Sequence, residues 1–442
     1  MDDLSEGQEN RWRGIGLSEA VALRSASQKK IEQRQLELLR LHLRHALATP
    51  YYRKRLKEIV VEEAVDLRSL LASLPLTPRA DLERYAEDFT RKEGCPIHDI
   101  ALTSGTTGTP LVIPYSAGDL QRLAFNEAVA YYSAGVRPSS RVLLTVTLDR
   151  CFIAGLAYYS GVTFLGAAAI RSGPGNLARQ WQLIEILKPD TLVGVPSFLL
   201  ELGRYGAARM DVGKSSIKTI ITIGEPARMP DFRLTPAGAE LAATWQARIH
   251  SSYGSTELEG AFAECCAGQG GHVHPEMMIA EIVDEKGNVL PAGEPGEVVV
   301  TPLGVEGFPL VRFKTGDVAR VYNSPCECGW NTSRLGPIEG RLAQRLKCKG
   351  TTLYPESIFH VLQEIDAVCC AYVEVRSQTE GADEVKVVVG SDLADLDKKA
   401  VEAALQARLR VVPEVVVQDT ASVTAVMRGD GGRKPRKFFD YR

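Results

Sequence analysis

The clearest chemical pattern in the sequence is LTSGTTGTP, which spans Leu102 to Pro110 and follows a short apolar run. Glycines let backbone N–H groups approach an anion, and the hydroxyls of Ser104, Thr106 and Thr107 add further donors. The loop therefore suits phosphate groups. It lacks the Gly-Lys-Ser/Thr end of a Walker A loop. By composition alone, an ordinary surface turn is an equal alternative.

A second pattern combines soft metal ligands. Cys265 and His272 lie in ECCAGQGGHVH, and Cys326 and Cys328 lie in SPCECGW. Three thiolates and one imidazole form the ligand set of a closed, tetrahedral structural Zn²⁺ site. Cys266 and His274 are competing ligands, and buried cysteines without a metal are the alternative interpretation.

Composition excludes several classes of protein. The 442 residues include 52 Lys and Arg against 55 Asp and Glu, a net charge of −3, so no basic excess indicates nucleic-acid binding. The polar N-terminus lacks the apolar stretch of a secretory signal, and no window approaches a membrane span. Nine cysteines, with two adjacent pairs, favour reduced thiols or metal ligands over disulfides. We expect a cytoplasmic protein that binds neither nucleic acid nor membrane.

The order of predicted elements indicates an α/β fold with two domains. An amphipathic helix is predicted from Ile31 to a stop at Pro50. From Val142, short β-rich runs alternate with helical segments, which predicts parallel strands with crossover helices. Residues 277–322 predict an antiparallel β subdomain. Beyond these lies a small α+β segment that ends in a loop-like basic tail, GDGGRKPRKFFDYR.

The order of motifs resembles that of the adenylate-forming (ANL) superfamily, specifically its phenylacetate-CoA ligase-like branch of AMP-dependent synthetases. The matching blocks, besides the Ser/Thr/Gly loop, are HALATPYYRKRL (45–56), LPLTPRADLERY (74–85), LGAAAIRSGPGNLARQWQLIEILKPDTLVGVPSFL (165–199), IGEPARMP (223–230), SSYGSTELEG (251–260), LVRFKTGD (310–317) and IEGRLAQRLKCKGTTLYPESI (338–358). The resemblance implies a large N-terminal domain, 1–339, that holds ATP and a carboxylic acid. It also implies a small mobile C-terminal domain, 340–442.

The resemblance assigns most of the nucleotide site. At the β- and γ-phosphates of ATP it places Ser104, Gly105, Thr106, Thr107 and Gly108. Around the adenine it places Gly224, Glu225 and Pro226, together with Ser252, Tyr253 and Gly254, of which Tyr253 stacks on the base. At the ribose it places Asp317 and Arg341. An aromatic face suits a flat purine, and a carboxylate can accept from both ribose hydroxyls.

The resemblance also implies three catalytic residues. Thr256 contacts phosphate, Glu257 binds Mg²⁺, and Lys434 in GGRKPRKFF contacts the α-phosphate and carboxylate oxygens during adenylation. A hard carboxylate oxygen suits Mg²⁺, and lysine supplies compact positive charge where negative charge develops. Lys437 is the alternative lysine, and a frayed basic tail is the structural alternative.

Two positions depart from the pattern of the family. Thr109 stands where many relatives have lysine, so one cationic phosphate contact is absent or replaced. Ala343 and Gln344 stand where the family usually has an Asp-Asp pair that includes the hinge residue. The second change bears on the domain motion that separates the two half-reactions.

The activity implied by the resemblance is ATP-dependent conversion of an aryl or arylacetic acid to an acyl-adenylate, followed by transfer to a thiol, most often that of CoA. Phe152, Tyr158 and Tyr159 would line a slot for the ring, although core packing explains these aromatics equally well. The alternatives are transfer to a carrier-protein phosphopantetheine, an amine or another nucleophile, and a non-catalytic nucleotide-binding relic.

The expected cofactors are ATP, Mg²⁺, CoA and structural Zn²⁺, since some phenylacetate-CoA ligase-like proteins carry a similar Cys and His set. The expected partner is a small-molecule carboxylic acid. An acyl carrier protein is an alternative acceptor, and a homodimer is a candidate assembly.

Overall fold

The computed structural model describes residues 10–59, 61, 65–103, 110–348, 351–377, 383–393, 396–429 and 435–442. The chain divides into two compact units. The first comprises Met1–Thr315 and Ala319–Pro337, and the second comprises Gly316–Val318 and Ile338–Arg442. Within the described ranges, no helix has the length and apolarity needed to cross a bilayer.

The first unit opens with helices. Their bounds are α1 (Leu17–Arg24), α2 (Gln28–Leu47), α3 (Pro50–Arg55), α4 (Leu67–Ser73) and α5 (Arg79–Tyr85). The predicted helix near Ile31 is present, but α2 ends at Leu47 and Pro50 begins α3 rather than stopping α2. Proline has no N–H that needs a partner in a first turn, and Thr49 caps α3 by accepting from the N–H of Tyr52.

A nine-stranded sheet forms the centre of the first unit. The strands and helices around it are β1 (Ile97–Leu102), β2 (Val112–Ser116), α6 (Ala117–Ser133), β3 (Arg141–Leu144), α7 (Ile153–Leu165), β4 (Ala168–Arg171), α8 (Leu177–Leu187), β5 (Thr191–Gly194), α9 (Pro196–Ala207), β6 (Thr219–Thr222), α10 (Pro236–Trp245), β7 (Arg248–Ser255), β8 (Gly260–Glu264) and β9 (Gly271–His272). With β13 (Val321–Tyr322) and β14 (Arg334–Leu335), the sheet order is β13-β14-β9-β8-β7-β6-β5-β3-β4, whereas β1 and β2 form a separate antiparallel pair.

Strands β4, β3, β5, β6 and β7 are parallel and are connected through α7 to α10. The prediction of parallel strands with crossover helices is therefore confirmed. Helices on this sheet pack through aromatic side chains, and the rings of Trp181 and Trp245 stack at 5.4 Å with an interplanar angle of 2°. Gly206 makes room for this stack, because a Cβ there would lie 2.0 Å from the Trp181 ring.

The predicted antiparallel β subdomain is also present. It contains β10 (Met278–Val283), β11 (Gly296–Pro302) and β12 (Phe313–Ala319). Strands β10 and β11 are antiparallel, with Met278 opposite Pro302.

The second unit has α+β structure. Its elements are β15 (Gly340–Arg341), β16 (Leu346–Cys348), β17 (Thr351–Leu353), α11 (Pro355–Gln363), β18 (Cys370–Ser377), β19 (Asp383–Ser391), α12 (Lys398–Leu409), β20 (Glu414–Asp419), α13 (Thr420–Arg428) and β21 (Phe438–Asp440). The sheet order is β20-β19-β18-β21. The prediction that the whole basic tail is loop-like is wrong, because β21 pairs in parallel with β18. A three-residue strand stabilised by a partner more than 60 positions earlier has no local sequence signal.

One buried cation connects the central sheet to the β subdomain. Arg122 on α6 is fully buried and donates to the carbonyl oxygens of Leu303, Glu259 and Met277. Leu303 directly follows β11, Glu259 directly precedes β8, and Met277 directly precedes β10. One turn earlier, Asp119 accepts from the backbone N–H groups of Glu306 and Gly307. Helix α6 therefore fixes several chain segments at once.

We expect Arg122→Met to lower the free energy of unfolding by about 3–5 kcal/mol, because three buried carbonyls and the nearby buried carboxylates lose their cation. Urea unfolding followed by circular dichroism measures this loss. Gln121→Met is the matched control, since Gln121 is the exposed neighbour on the same helix. Equal stability of the two variants would contradict the structural role of Arg122.

Candidate functional site

Two segments assigned to adenine by resemblance lie at one edge of the central sheet. Strands β6 and β7 are parallel neighbours, with Thr222 opposite Ser251. Gly224–Pro226 follows the end of β6, and Ser252–Gly254 continues along β7. The carboxyl edge of a parallel sheet is where α/β folds bind ligands. The structure thus brings these two predicted segments together.

Local packing shapes both segments. Gly224 has a φ of +72°, a left-handed conformation that favours glycine. The Glu225 carboxylate accepts from the Ser197 N–H at 3.0 Å and from its hydroxyl at 2.8 Å. On β7, the half-buried Tyr253 stacks on Phe262 of β8, with ring centroids 6.0 Å apart. At Gly254, a Cβ would lie 2.7 Å from the Gly260 carbonyl oxygen.

The turn after β7 carries the predicted catalytic pair. Thr256 and Glu257 lie in a 3₁₀ turn, and the Tyr115 hydroxyl donates to the Thr256 carbonyl oxygen at 3.2 Å. The Glu257 side chain is only 4% exposed, and its Oε1 lies 2.9 Å from a guanidinium nitrogen of Arg79. Carboxylate oxygens are hard ligands, so Glu257 offers candidate Mg²⁺ ligands at this edge.

A small cavity adjoins the same strand. It is lined by Glu127, Ala130, Tyr131, Ala134, Tyr158, Ile221, His250, Ser251, Ser252, Ala263 and Glu264. Of the three predicted substrate aromatics, only Tyr158 lines it. Phe152 is exposed at the start of α7, and the Tyr159 ring lies 5.4 Å from the Arg171 guanidinium carbon. Ser252 of the predicted nucleotide strand lines the cavity as well, so the cavity and that strand share a residue.

Sequence reasoning missed several polar residues of this cavity, among them Glu127, Tyr131 and His250. Burial raises the pKa of Glu127 to about 7, and the Asn126 amide opposes this shift by donating to its carboxylate. Burial lowers the pKa of His250 to about 4, so the imidazole is neutral at pH 7. The sequence did contain one signal of a buried polar site, because Glu127 stands in the otherwise apolar helical run NEAVAYY.

The second unit groups the predicted ribose ligands with an unexpected carboxyl. Asp317 and Arg341 are paired across β12 and β15, and their Oδ1 and Nε atoms lie 3.3 Å apart. Burial raises the pKa of Glu356, whereas the charges of Arg341 and Lys437 lower it and that of Asp317 raises it. Sequence reasoning did not single out Glu356, which lies in the first turn of α11 within the matched block 338–358.

Several predicted residues lie outside the described residues. They are Ser104, Gly105, Thr106, Thr107, Gly108, Thr109 and Lys434. Lys437 is described. Its side chain is exposed, and its carbonyl oxygen accepts from the Val373 N–H at 2.8 Å. Ala343 and Gln344 lie in a short 3₁₀ turn after β15.

The four predicted metal ligands converge in the first unit. The ligand atoms of Cys265, His272, Cys326 and Cys328 all lie within 4.8 Å of one another. The sulfur atoms of Cys265 and Cys326 are 3.6 Å apart, and the Cys328 sulfur is 3.5 Å from His272 Nε2. A tetrahedron with ordinary zinc bond lengths has edges of about 3.6–3.8 Å. This set of donors therefore suits a metal ion in a closed, tetrahedral coordination site.

The surroundings of His272 favour metal binding. Its Nδ1 lies 2.8 Å from the Thr332 hydroxyl, which orients Nε2 towards the thiols. Burial, together with the charges of Arg334 and Arg24, lowers the pKa of His272 to about 3. The ring is thus neutral, as a ligand must be.

The competing ligands lie elsewhere. Cys266 is exposed, and His274 is fully buried but outside the group of four among the described residues. The Cys265 and Cys328 thiols form a hydrogen bond, which raises the pKa of Cys265 and lowers that of Cys328. The nine cysteines, all described, form no disulfide.

Comparisons with known proteins agree with this arrangement. The sequence pattern of the family described as "AMP-binding enzyme" matches residues 50–305, more than half of the chain. The phenylacetate-coenzyme A ligase of Aromatoleum evansii is 30% identical over 348 residues, which cover 76% of each chain. That of Pseudomonas putida is 28% identical over 398 residues, which cover 83% of this chain and 88% of the relative.

Solved structures give the same architecture. A crystal structure of 2-hydroxyisobutyryl-CoA ligase in the postadenylation state, in complex with R3-HIB-AMP, matches with a TM-score of 0.83. The match covers 96% of this chain and 92% of the other, at 19% identity. At this identity, the likeness establishes the fold.

Proposed function

Because this chain belongs to the AMP-binding enzyme family, we propose that it is an acid–thiol ligase that joins a carboxylic acid to CoA with conversion of ATP to AMP and pyrophosphate. It activates the acid as an acyl-adenylate and transfers the acyl group to the CoA thiol. The observation that carries this conclusion is the similarity, over about three quarters of the chain, to several phenylacetate-coenzyme A ligases.

The reaction has two balanced steps. A carboxylate oxygen of the acid attacks the α-phosphorus of ATP, and the bond to the β-phosphate oxygen breaks to release pyrophosphate. The CoA sulfur then attacks the acyl carbon, AMP leaves, and the thiol proton passes to solvent. The first step converts a carboxylate, a poor electrophile, into a mixed anhydride with a good leaving group.

Residues at the edge of the central sheet suit the first step. Gly224–Pro226 and Ser252–Gly254 flank the predicted adenine position, and Tyr253 offers an aromatic face. The carboxylate of Glu257 would hold Mg²⁺, which neutralises phosphate charge when bound. The guanidinium of Arg79 lies 2.9 Å from Oε1 of Glu257 and holds this side chain in place.

The second unit supplies the remaining predicted contacts. Asp317 is proposed to bind the ribose hydroxyls and Arg341 the ribose and phosphate, in line with their adjacency across β12 and β15. Lys434 is proposed to neutralise charge at the α-phosphate, and Lys437 is the alternative. The mobility of this unit stays a prediction.

The substrate proposed is an aryl or arylacetic acid, in line with the names of the relatives. Transfer to a carrier protein, a homodimer and a cytoplasmic location stay predictions. The residues between 104 and 109 are proposed as phosphate ligands on the motif resemblance alone.

We further propose that the Cys265, His272, Cys326 and Cys328 group holds a structural Zn²⁺ ion. The support is the convergence of four donor atoms within 4.8 Å of one another and the oriented, neutral imidazole. Four protein ligands leave no coordination position for water or substrate, so the ion would contribute folding free energy rather than chemistry.

Glu257→Gln is expected to slow adenylation about 100-fold or more, because a neutral amide is a poor Mg²⁺ ligand. Acid-dependent exchange of pyrophosphate into ATP measures this step. Glu83→Gln is the matched control, because Glu83 is an exposed partner of the same Arg79. An unchanged exchange rate in Glu257→Gln would refute the assignment.

Lys434→Ala is expected to suppress adenylation severely while leaving ATP binding and thioester formation from supplied acyl-adenylate largely intact, since its positive charge is needed where the pentacoordinate phosphorus forms. Single-turnover assays of the two half-reactions separate these effects. Lys437→Ala serves as the comparison variant. If Lys434→Ala is silent and Lys437→Ala is not, the role belongs to Lys437, and equal loss of both half-reactions contradicts it.

Elemental analysis is expected to find about one Zn²⁺ per chain, and Cys326→Ser should lose the metal and lower the melting temperature, because metal binding free energy stabilises the folded state. Cys265→Ser should behave in the same way. Cys266→Ser is the control, because its thiol is exposed and outside the group. Metal-free protein of normal stability would disprove the zinc proposal.

A further inference from the structure

The cavity beside β7 contains polar atoms that lack partners within the described part of the chain. They include the Tyr131 hydroxyl and Nε2 of His250, and these two residues are 1% and 3% exposed. A buried polar group without a partner destabilises the protein, because it has lost its hydrogen bonds to water. Such groups therefore indicate that something else binds there.

The donor and acceptor pattern of the cavity is specific. His250 Nδ1 lies 3.2 Å from the Cys265 carbonyl oxygen, which can only accept, so Nδ1 carries the proton and Nε2 accepts. The Tyr131 hydroxyl can donate or accept. Glu127 lies one turn before Tyr131 on α6, and one of its oxygens already accepts from the Asn126 amide.

The carboxylate of Glu264, which also lines the cavity, already has partners. Arg228 and the Ser251 N–H both donate to it. Two sides of the cavity, α6 and β7, therefore present the open hydrogen-bonding positions. The remaining lining side chains, Ala130, Ala134, Ile221 and Ala263, are apolar.

The cavity adjoins the strand that is proposed to bind adenine, which makes it the candidate position for the distal end of a small substrate. Ser252 lines the cavity and immediately precedes Tyr253, the residue proposed to stack on adenine. The free space is small, on the scale of one water molecule or one hydroxyl group.

We propose that Tyr131, His250 and Glu127 select an acid whose distal end carries a hydrogen-bond donor, a hydroxyl or amino group, over the same acid without it. This inference rests on the proposed ligase activity and adds the substrate class. The substituent would donate to His250 Nε2 and bond to the Tyr131 hydroxyl. The raised pKa of Glu127 supports this assignment, because a carboxyl that is half protonated at pH 7 can donate or accept.

A polar site of this kind discriminates strongly. When the analogue lacks the hydroxyl, the buried groups stay unpaired, whereas an apolar slot barely distinguishes the two. An ordered water is the other candidate occupant, and an enzyme with such a water would turn over plain and hydroxylated acids about equally.

The test uses full-length protein and matched acids: benzoic, 3- and 4-hydroxybenzoic, 4-aminobenzoic, phenylacetic, and 3- and 4-hydroxyphenylacetic acid. Acid-dependent pyrophosphate release gives kcat/KM for each. We expect at least one hydroxylated or aminated acid to exceed its plain parent by about 10- to 100-fold. We expect Tyr131→Phe to reduce that ratio by about tenfold, mainly because kcat/KM for the substituted acid falls.

Two controls isolate the hydroxyl of Tyr131. Tyr132→Phe is the matched variant, since Tyr132 is the next residue of α6 and its ring lies over Arg137 rather than in the cavity. It should keep the wild-type ratio. Tyr131→Phe removes an unpartnered buried hydroxyl, so its melting temperature should equal or exceed that of the wild type, and a changed ratio cannot then be attributed to misfolding.

The outcomes separate the two proposals. If acids are activated but plain parents match their substituted forms, the inference is wrong and the ligase function stands. If substituted acids are preferred and Tyr131→Phe keeps the full ratio, the assignment to this cavity is wrong. Pyrophosphate release with none of the acids would contradict the proposed aromatic ligase function and with it the inference.

Discussion

The buried guanidinium of Arg122 is the interaction on which the arrangement of the first unit depends. A charged group excluded from water needs hydrogen-bond partners, and each of the three guanidinium nitrogens of Arg122 donates to a backbone carbonyl from a separate segment. One of them, Glu259, ends the turn that contains Thr256 and Glu257. The position of the proposed magnesium ligand is therefore coupled to α6, far from it in the sequence.

Helix α6 thereby has two roles on different turns. Its first turns, with Asp119 and Arg122, hold the β subdomain against the central sheet. Later turns present Glu127 and Tyr131 to the cavity beside β7. Because one rigid helix carries both sets of residues, a change in the buried ion network would also displace the groups that we propose to recognise the substrate. Rigid elements hold binding groups more accurately than loops do.

The proposed metal-ligand group lies at the other end of the central sheet. Strand β9 carries His272, and the segment after β13 carries Cys326 and Cys328. This edge has only two-residue strands, which form few backbone hydrogen bonds. The buried Arg24–Glu276 pair lies nearby, and the Arg24 guanidinium lies over Trp330, whose ring contacts His272. A metal ion would hold together a region with little regular structure of its own.

Several features could be predicted from the sequence because their signals are local. The alternation of β-rich and helical runs after Val142, the antiparallel subdomain and the ordered family motifs all appear within short windows. Local patterns also suggested the four metal ligands, but left Cys266 and His274 as competitors. Phosphate-loop residues 104–109 and Lys434 are still known only from their motifs.

Only the tertiary structure decided which groups meet. It paired Arg79 with Glu257, placed Arg122 among three distant carbonyls, joined β21 to β18, and left Tyr158 as the one predicted aromatic that lines the cavity. It also brought together Glu127, Tyr131 and His250, of which the first and the last lie more than 100 positions apart in the sequence. No local window contains such information, because burial and unpaired hydrogen-bonding groups arise only when separate segments pack together.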